Sequence, residues 1–589
     1  MTSDSEKKTS GEPSGLVSRL ALVLVLLAGP AACNKEQPAD LVFRGGEIYT
    51  VDANRSWASA VGIKDGRIIY VGDDERVGTH IGLSTRVVDL SGRMMLPGFH
   101  DSHMHPMSGG FSRLLNCRLF DLEWPNEVHA ALRECANGLE DGEWLLAIGL
   151  DPSVFDGPGP RRTALDELVP DRPAYVSTDR GILAWANTRT LVAAGIDANT
   201  PDPPNGMIER DLETGEPAGT LRGSAVNLVR QRFPTPPTDK YREALQQSTA
   251  MANRFGITSL IDASVNEAMF EAYCEADVAG EMTVRVVASQ LIEYGHGVEK
   301  VDEFVTRNQR ICGDRMRADS AKIFVDGQID QHTAALLKPY SDAPNTQGQP
   351  YFEPEILNAI VARLDAEDFQ VHMHVIGDRA IRIGLDAIEK AIEANGPRDR
   401  RHQLAHIQFW NPADISRVER LGVVADFQPL WAYADPEVAD LVESALGPER
   451  SRWLVPMASV ADSGAIIVAG SDWPSPSMNP LLAMQIAITR RPPDGSAPAW
   501  IPEERVELAQ MIEAYTIAGA WLAREESING SIEVGKAADL IVLERNLFEV
   551  DPMVLKDVRV LLTLLEGATV YRDSEFTWPA DGQQFEPLH

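Results

Sequence analysis

Apolar and polar positions change rhythm along this chain. Near the start, DLVFRGGEIYTVD and SAVGIKDGRIIYVGD alternate with the two-residue period of half-buried strands, and Asp65-Gly66 between two such runs signals a hairpin. RVVDLSGRMMLPG continues the pattern. Near the other end, GSIEVGKAADLIVLERN and VRVLLTLLEGATVYRD are strand-like again. Residues 38–97 and 526–589 therefore predict one small β-sandwich assembled from both ends of the chain.

Between them the rhythm becomes one of short apolar runs separated by longer stretches. The runs are GFHDSHMH (98–105), GITSLID (256–262), TVRVVASQLI (283–292), AKIFVDG (321–327), FQVHMHVIGD (369–378), HQLAHIQ (402–408), VVADFQ (423–428) and AIIVAGSD (465–472). Several intervening stretches are amphipathic; ILNAIVARLDAED has its apolar residues at helical spacing. Strand alternating with helix implies a parallel sheet with crossover helices. Eight such units predict an α/β chain with a TIM-type (β/α)8 barrel over residues 98–525. The gap after the first run is too long for one helix, so residues from about 110 to 250, rich in Pro, Gly and Trp, are expected as an insertion over the barrel mouth.

The first 33 residues break from all this. Lys7, Lys8 and Arg19 precede the apolar run Leu20–Leu27 and then AGPAAC, which is the layout of a secretory signal. The apolar run is too short to span a bilayer. Ending at Cys33, the segment resembles a bacterial lipoprotein signal, which implies lipidation of Cys33 and a membrane-anchored protein of the cell envelope. Pro30 stands where that pattern prefers an aliphatic residue. The remaining cysteines, Cys117, Cys135, Cys274 and Cys312, form no C-x-x-C pair. Export would permit disulfides without specifying a pairing; buried free thiols are the expectation. A net charge of −33 excludes nucleic acid as a working partner and leaves membrane contact to the lipid anchor alone.

Polar, ligand-capable residues recur where the apolar runs end, which in a barrel is the face that carries the active site. His103 and His105 form H-x-H, a spacing that points both imidazoles to one side of a strand. Lys322 lies within AKIFVDG, where burial would be costly unless its charge is paired or neutralised. Either it pairs with a nearby acid such as Asp326, or it becomes a carbamate bridging two metals. His372 and His374 form a second H-x-H, His406 closes HQLAHIQ and Asp472 closes AIIVAGSD. Of the 12 histidines, five fall in this set. Such clustering at strand ends predicts a metal site.

PGFHDSHMH, KIFVDG, HMHVIGDRA, AHIQ, GSDWP and GSIEVGKAADLIVL together resemble the amidohydrolase superfamily, in its family-3 branch, from about residue 40 to 570. The resemblance implies a barrel with a composite β-sandwich and a divalent metal site, with zinc expected and manganese, iron or cobalt also suited. It implies His103, His105 and Asp472 on a first ion, His374 and His406 on a second, and Lys322, carbamylated by carbon dioxide, between them. His372 is then expected behind the ligands or packed, and His100 behind them or structural. The implied reaction is hydrolysis of a non-peptide carbon–nitrogen bond, amide or imide, in a small molecule by metal-activated hydroxide. Asp472 would carry the proton and His406 would help polarise the carbonyl. Deamination on the same scaffold, or an inactive exported binding protein, are the alternatives. In the insertion, PAYVSTDRGILAWANTRTL also resembles the branch, although Ile182 stands where the branch commonly has His. Trp185 and Asn187, with Asp326 and Trp473, are the expected substrate-pocket residues. A homodimer is expected for a barrel enzyme of this kind.

Overall fold

Near-continuous apolar runs fold as strands buried on both faces, because helices cover the outside of a parallel barrel and side chains fill its inside. The computed structural model describes residues 37–578 apart from positions 115, 121, 156–159, 179–180, 182, 204–205, 235, 311, 436–438 and 476. Cys33 and the leader before it, and position 182, lie outside the described residues.

All eight runs are strands, in the order predicted. They are β1 (Phe99–Met104), β2 (Ile257–Val265), β3 (Arg285–Ile292), β4 (Met316–Phe324), β5 (Gln370–Val375), β6 (Gln403–His406), β7 (Val424–Phe427) and β8 (Ile467–Ala469). Each pairs in parallel with the next. The barrel is nearly closed. Among the described residues no ladder joins β8 to β1; instead the segment just after β8 completes the ring, where Asp472 N–H donates to His103 C=O at 2.7 Å and His105 N–H to Trp473 C=O at 2.8 Å. A glycine is required here, since a Cβ on Gly470 would lie 2.5 Å from the His103 nitrogen. Outer helices such as Asp378–Asn395 bury Ile381, Gly384, Leu385, Ile388 and Ala391 at helical spacing against the strands.

Both ends of the chain meet in a six-stranded sheet, in which Leu540–Leu543 runs antiparallel to Met94–Pro97. A four-stranded sheet holds Leu41–Arg44, Ala60–Lys64, Arg67–Gly72 and Arg86–Asp89. Phe43, Val61, Ile63, Met95, Val542 and Leu562 share one core across the two sheets. The predicted hairpin turns at Asp65 (φ 49°) and Gly66 (φ 73°), the positive pair that a two-residue hairpin needs.

The insertion has a six-stranded sheet of its own, running from Asn116–Arg118 at one edge to Gly206–Arg210 at the other. It leaves the barrel through helix Pro106–Leu114 and returns through Thr238–Arg254. The expectation of free thiols is corrected. Cys117 is joined to Cys135 and Cys274 to Cys312, with Cα atoms 5.8 and 4.9 Å apart. The partners are 18 and 38 residues apart in the chain, a proximity that only folding creates. Among the described residues, no helix is long and apolar enough to cross a membrane.

Candidate metal centre

The strand ends bring the six predicted ligands into one cluster. On β1 His103 Nε2 lies 3.4 Å from Asp472 Oδ1, and just after the strand His105 Nε2 lies 3.2 Å from the same oxygen. Lys322 Nζ, from β4, is 3.3 Å from His103 Nε2. The His406 ring, at the end of β6, is centred 4.5 Å from that of His103 and 4.4 Å from that of His374 on β5. His103, His406 and Asp472 offer donor atoms that all lie within 4.8 Å of one another. Only His105 and Asp472 reach toward solvent, with side chains 22% and 16% exposed.

Burial decides the protonation of this cluster. It pushes the imidazoles of His103 and His406 well below their ordinary range, and that of His374 down to about 3, with the nearby Lys322 charge acting in the same direction. The rings are therefore neutral, the form in which histidine binds a metal. Among the described residues, both ring nitrogens of His374 and Nδ1 of His406 are buried without a hydrogen-bond partner. Unpartnered buried imidazole nitrogens are destabilising unless something satisfies them. Imidazole and carboxylate donors with free lone pairs fit a divalent ion such as zinc.

Lys322 is wholly buried and makes no carboxylate ion pair among the described residues. Burial lowers its pKa to about 7 against the pull of Asp472, Asp426 and Asp262. The Phe324 ring, next inward-facing residue on β4, is centred 4.9 Å from Nζ. Asp326, the alternative partner, is committed elsewhere: Oδ1 accepts from Ile376 N–H at 2.8 Å and Oδ2 from Ala335 and Gly377 N–H at 2.9 Å each. It clamps the loops after β4 and β5.

Two more of the expected pocket residues are buried within the insertion. Trp185 is fully buried in the core of the insertion, with Nε1 donating to Arg161 C=O at 2.9 Å. Asn187 is buried too, its amide donating to Val169 and Arg172 C=O while Oδ1 accepts from Ala174 and Thr190 N–H. Both serve the fold of the insertion. Trp473 is buried against Gly109, where a Cβ would fall 2.1 Å from its ring. His100 turns away from the cluster to Asn529 Oδ1, 3.0 Å distant, in a structural role.

Sequence reasoning missed three residues here. Asp101 Oδ1 accepts from His103 N–H at 3.2 Å and Ser471 N–H at 3.0 Å, tying β1 to the segment that closes the ring. Trp431 stacks on His406, with ring centres 5.2 Å apart and planes at 10°. Asp426 on β7 forms a second ligand-type group with His103 and His372. A lone acid inside VVADFQ was the available signal for it, the same signal that singled out Asp472. His406 and Asp472 also share positive φ angles, 73° and 55°, a strained backbone of the kind that gathers at functional sites.

A profile described as the amidohydrolase family matches residues 86–571. The chain belongs to the amidohydrolase family. Within reach of this amidohydrolase are Protein LONG AFTER FAR-RED 3 of Arabidopsis thaliana, 31% identical over 90% of this chain and 92% of that protein, and an N-substituted formamide deformylase of Arthrobacter pascens, 29% identical over 91% and 99%. A crystal structure of an uncharacterized metal-dependent hydrolase from Pyrococcus furiosus shares the fold with TM-score 0.70, at 23% identity over 87% of this chain and 99% of that one. This amidohydrolase carries a buried His/His/Asp group of metal-ligand type.

Proposed function

We propose that this chain hydrolyses a non-peptide carbon–nitrogen bond, of amide or imide type, in a small molecule. The observation that carries the reading is the cluster of neutral, buried imidazoles, with both His374 nitrogens unpartnered, beside Asp472 and Lys322 at the barrel mouth. The formamide deformylase likeness supports a carbon–nitrogen bond as the target. His103, His105 and Asp472 would hold one divalent ion, His374 and His406 a second, and Lys322 would serve both as a carbamate. An ion bound there supplies Lewis acidity, polarising a carbonyl oxygen and lowering the pKa of water.

The residues do the rest. Asp472 Oδ1 faces the solvent-reaching edge of the cluster; it accepts the proton of the attacking water and returns it to the leaving nitrogen. His406, held flat by Trp431, orients the carbonyl. Lys322 is neutral above about pH 7, so its nitrogen can attack carbon dioxide, form the N–C bond and release a proton, leaving an anionic carbamate. The test is the metal content of protein beginning after Cys33, purified without chelator or nickel, together with a screen of amides, imides and N-formyl or N-acyl amines. Two ions per chain and amide turnover are expected. One ion would recast Lys322 as a non-ligand, and no metal with no turnover would overturn the function.

We also infer export. Two disulfides support it, since they persist in oxidising compartments. In the full-length chain, Cys33→Ser should abolish lipid attachment and alter the mature mass; unchanged mass and membrane association would refute the anchor.

A further inference from the structure

Strand β7 contributes a carboxylate that the chemistry above leaves unused. Asp426 is 0% exposed, and its Oδ1 accepts from Ser102 Oγ at 2.7 Å and from Gln428 Nε2 at 3.3 Å. Among the described residues its Oδ2 has no hydrogen-bond partner, yet it lies 3.7 Å from His103 Nδ1 and 3.9 Å from His372 Nε2. Those two nitrogens are 2.8 Å apart. A buried carboxyl oxygen set against imidazole edges without a hydrogen bond is expensive to keep and calls for a role.

The two edges of His103 face different ways. Nε2 looks toward Asp472 and Lys322, where the cation would sit; Nδ1 looks down at His372 and Asp426. We propose that His372 and Asp426 are positioning residues that keep the His103 proton on Nδ1 and so keep the Nε2 lone pair open to the metal. The inference rests on the reading of His103 as a metal ligand.

Only one proton fits between two ring nitrogens at this distance. If His103 Nδ1 carries it, His372 Nε2 accepts, and a neutral His103 presents a bare Nε2. If His372 Nε2 carries it, a neutral His103 must hold its own proton on Nε2, and the ligand edge is closed. His372 Nε2 at 2.8 Å offers an acceptor for an N–H on His103 Nδ1, and Asp426 Oδ2 at 3.7 Å lies on the same edge, the place that acidic partners take behind metal-bound histidines. Ser102 fixes Asp426 from β1, the strand that carries His103, so ligand and orienting acid are held by one another's strands. His372 is set beside Lys322 in the register of β4 with β5. Its expected place behind the ligands thereby acquires a partner and a task.

The experiment is zinc titration of metal-free protein in competition with a coloured chelator, for wild type, Asp426→Asn and His372→Gln, with cobalt absorption spectra recorded in parallel. Both variants are expected to bind the same number of ions as wild type but about 10- to 100-fold more weakly, with a shifted cobalt spectrum. Burial pushes the Asp426 carboxyl well above its usual range, and Asn keeps an acceptor for Ser102 and Gln428, so metal-free Asp426→Asn should unfold near the wild-type temperature and a general loss of structure would not mimic the result. Unchanged affinity in both variants overturns the proposal. So does loss of a whole ion with the remainder bound as tightly as before, which would make Asp426 a ligand. Should Asp426→Asn fail to fold, His372→Gln decides alone. If wild type itself takes up no metal, it is the metal-site reading that fails; if wild type binds and the variants match it, only this inference does.

Discussion

Asp472→Asn is expected to lose about 100- to 10,000-fold in turnover, the usual worth of a positioned proton acceptor, while still holding metal. The substitution is nearly isosteric and keeps an oxygen where Oδ1 now meets His105 and His103. It removes the ability to accept a proton. Asn also tolerates the left-handed backbone at this position, φ 55°, better than most residues. The closure of the ring runs through the main-chain nitrogen of residue 472 and is indifferent to the side chain. Metal content and thermal unfolding should therefore stay near wild type while kcat collapses. Retained turnover would remove Asp472 from the proton path. Loss of metal in step with turnover would make it a ligand and nothing more.

The barrel was legible because its strands are buried on both faces, so each reads as an apolar run in which a polar residue stands out. That is why His103, His105, Lys322, His374, His406 and Asp472 could be picked from the sequence before any strand was placed. Asp426 carries the same kind of signal but lies within its run and not at its end, and the register that sets it opposite His103 and His372 is a property of the closed ring. Trp185 and Asn187 illustrate a different limit. Their motif identifies the insertion, but a motif does not say which face of a strand points to a pocket, and here both side chains complete the core of the insertion's own sheet. The two disulfides were hidden for a third reason. Their partners lie far apart in sequence, and nothing local marks a pair that becomes adjacent only after folding. The predicted hairpin at Asp65-Gly66, by contrast, depends on two adjacent residues alone and appears as read.

Lys322→Met should separate the burden of a buried amine from its use. Among the described residues Lys322 has no carboxylate partner, and burial lowers its pKa to about 7 from an ordinary value of 10.5. Between those two values the unfolded chain binds a proton that the folded chain does not. Stability therefore rises with pH across that window, and the full penalty is felt below about pH 7. Methionine fills much the same space without a charge, so the metal-free variant is expected to be more stable than wild type at pH 7, by a margin that narrows as the pH approaches 10. Unfolding midpoints of both proteins over that range give the answer, and a margin that stays flat would mean the charge is compensated within the fold. Loaded with zinc, the variant should bind fewer ions and lose at least about 100-fold in turnover, because no carbamate can form to hold them. Bicarbonate supplies the control. Zinc-reconstituted wild type should regain activity faster when bicarbonate is added to carbonate-free buffer, and the variant should not respond. An equal response in both proteins, or none in wild type, would leave Lys322 as a buried amine that the site tolerates and does not employ.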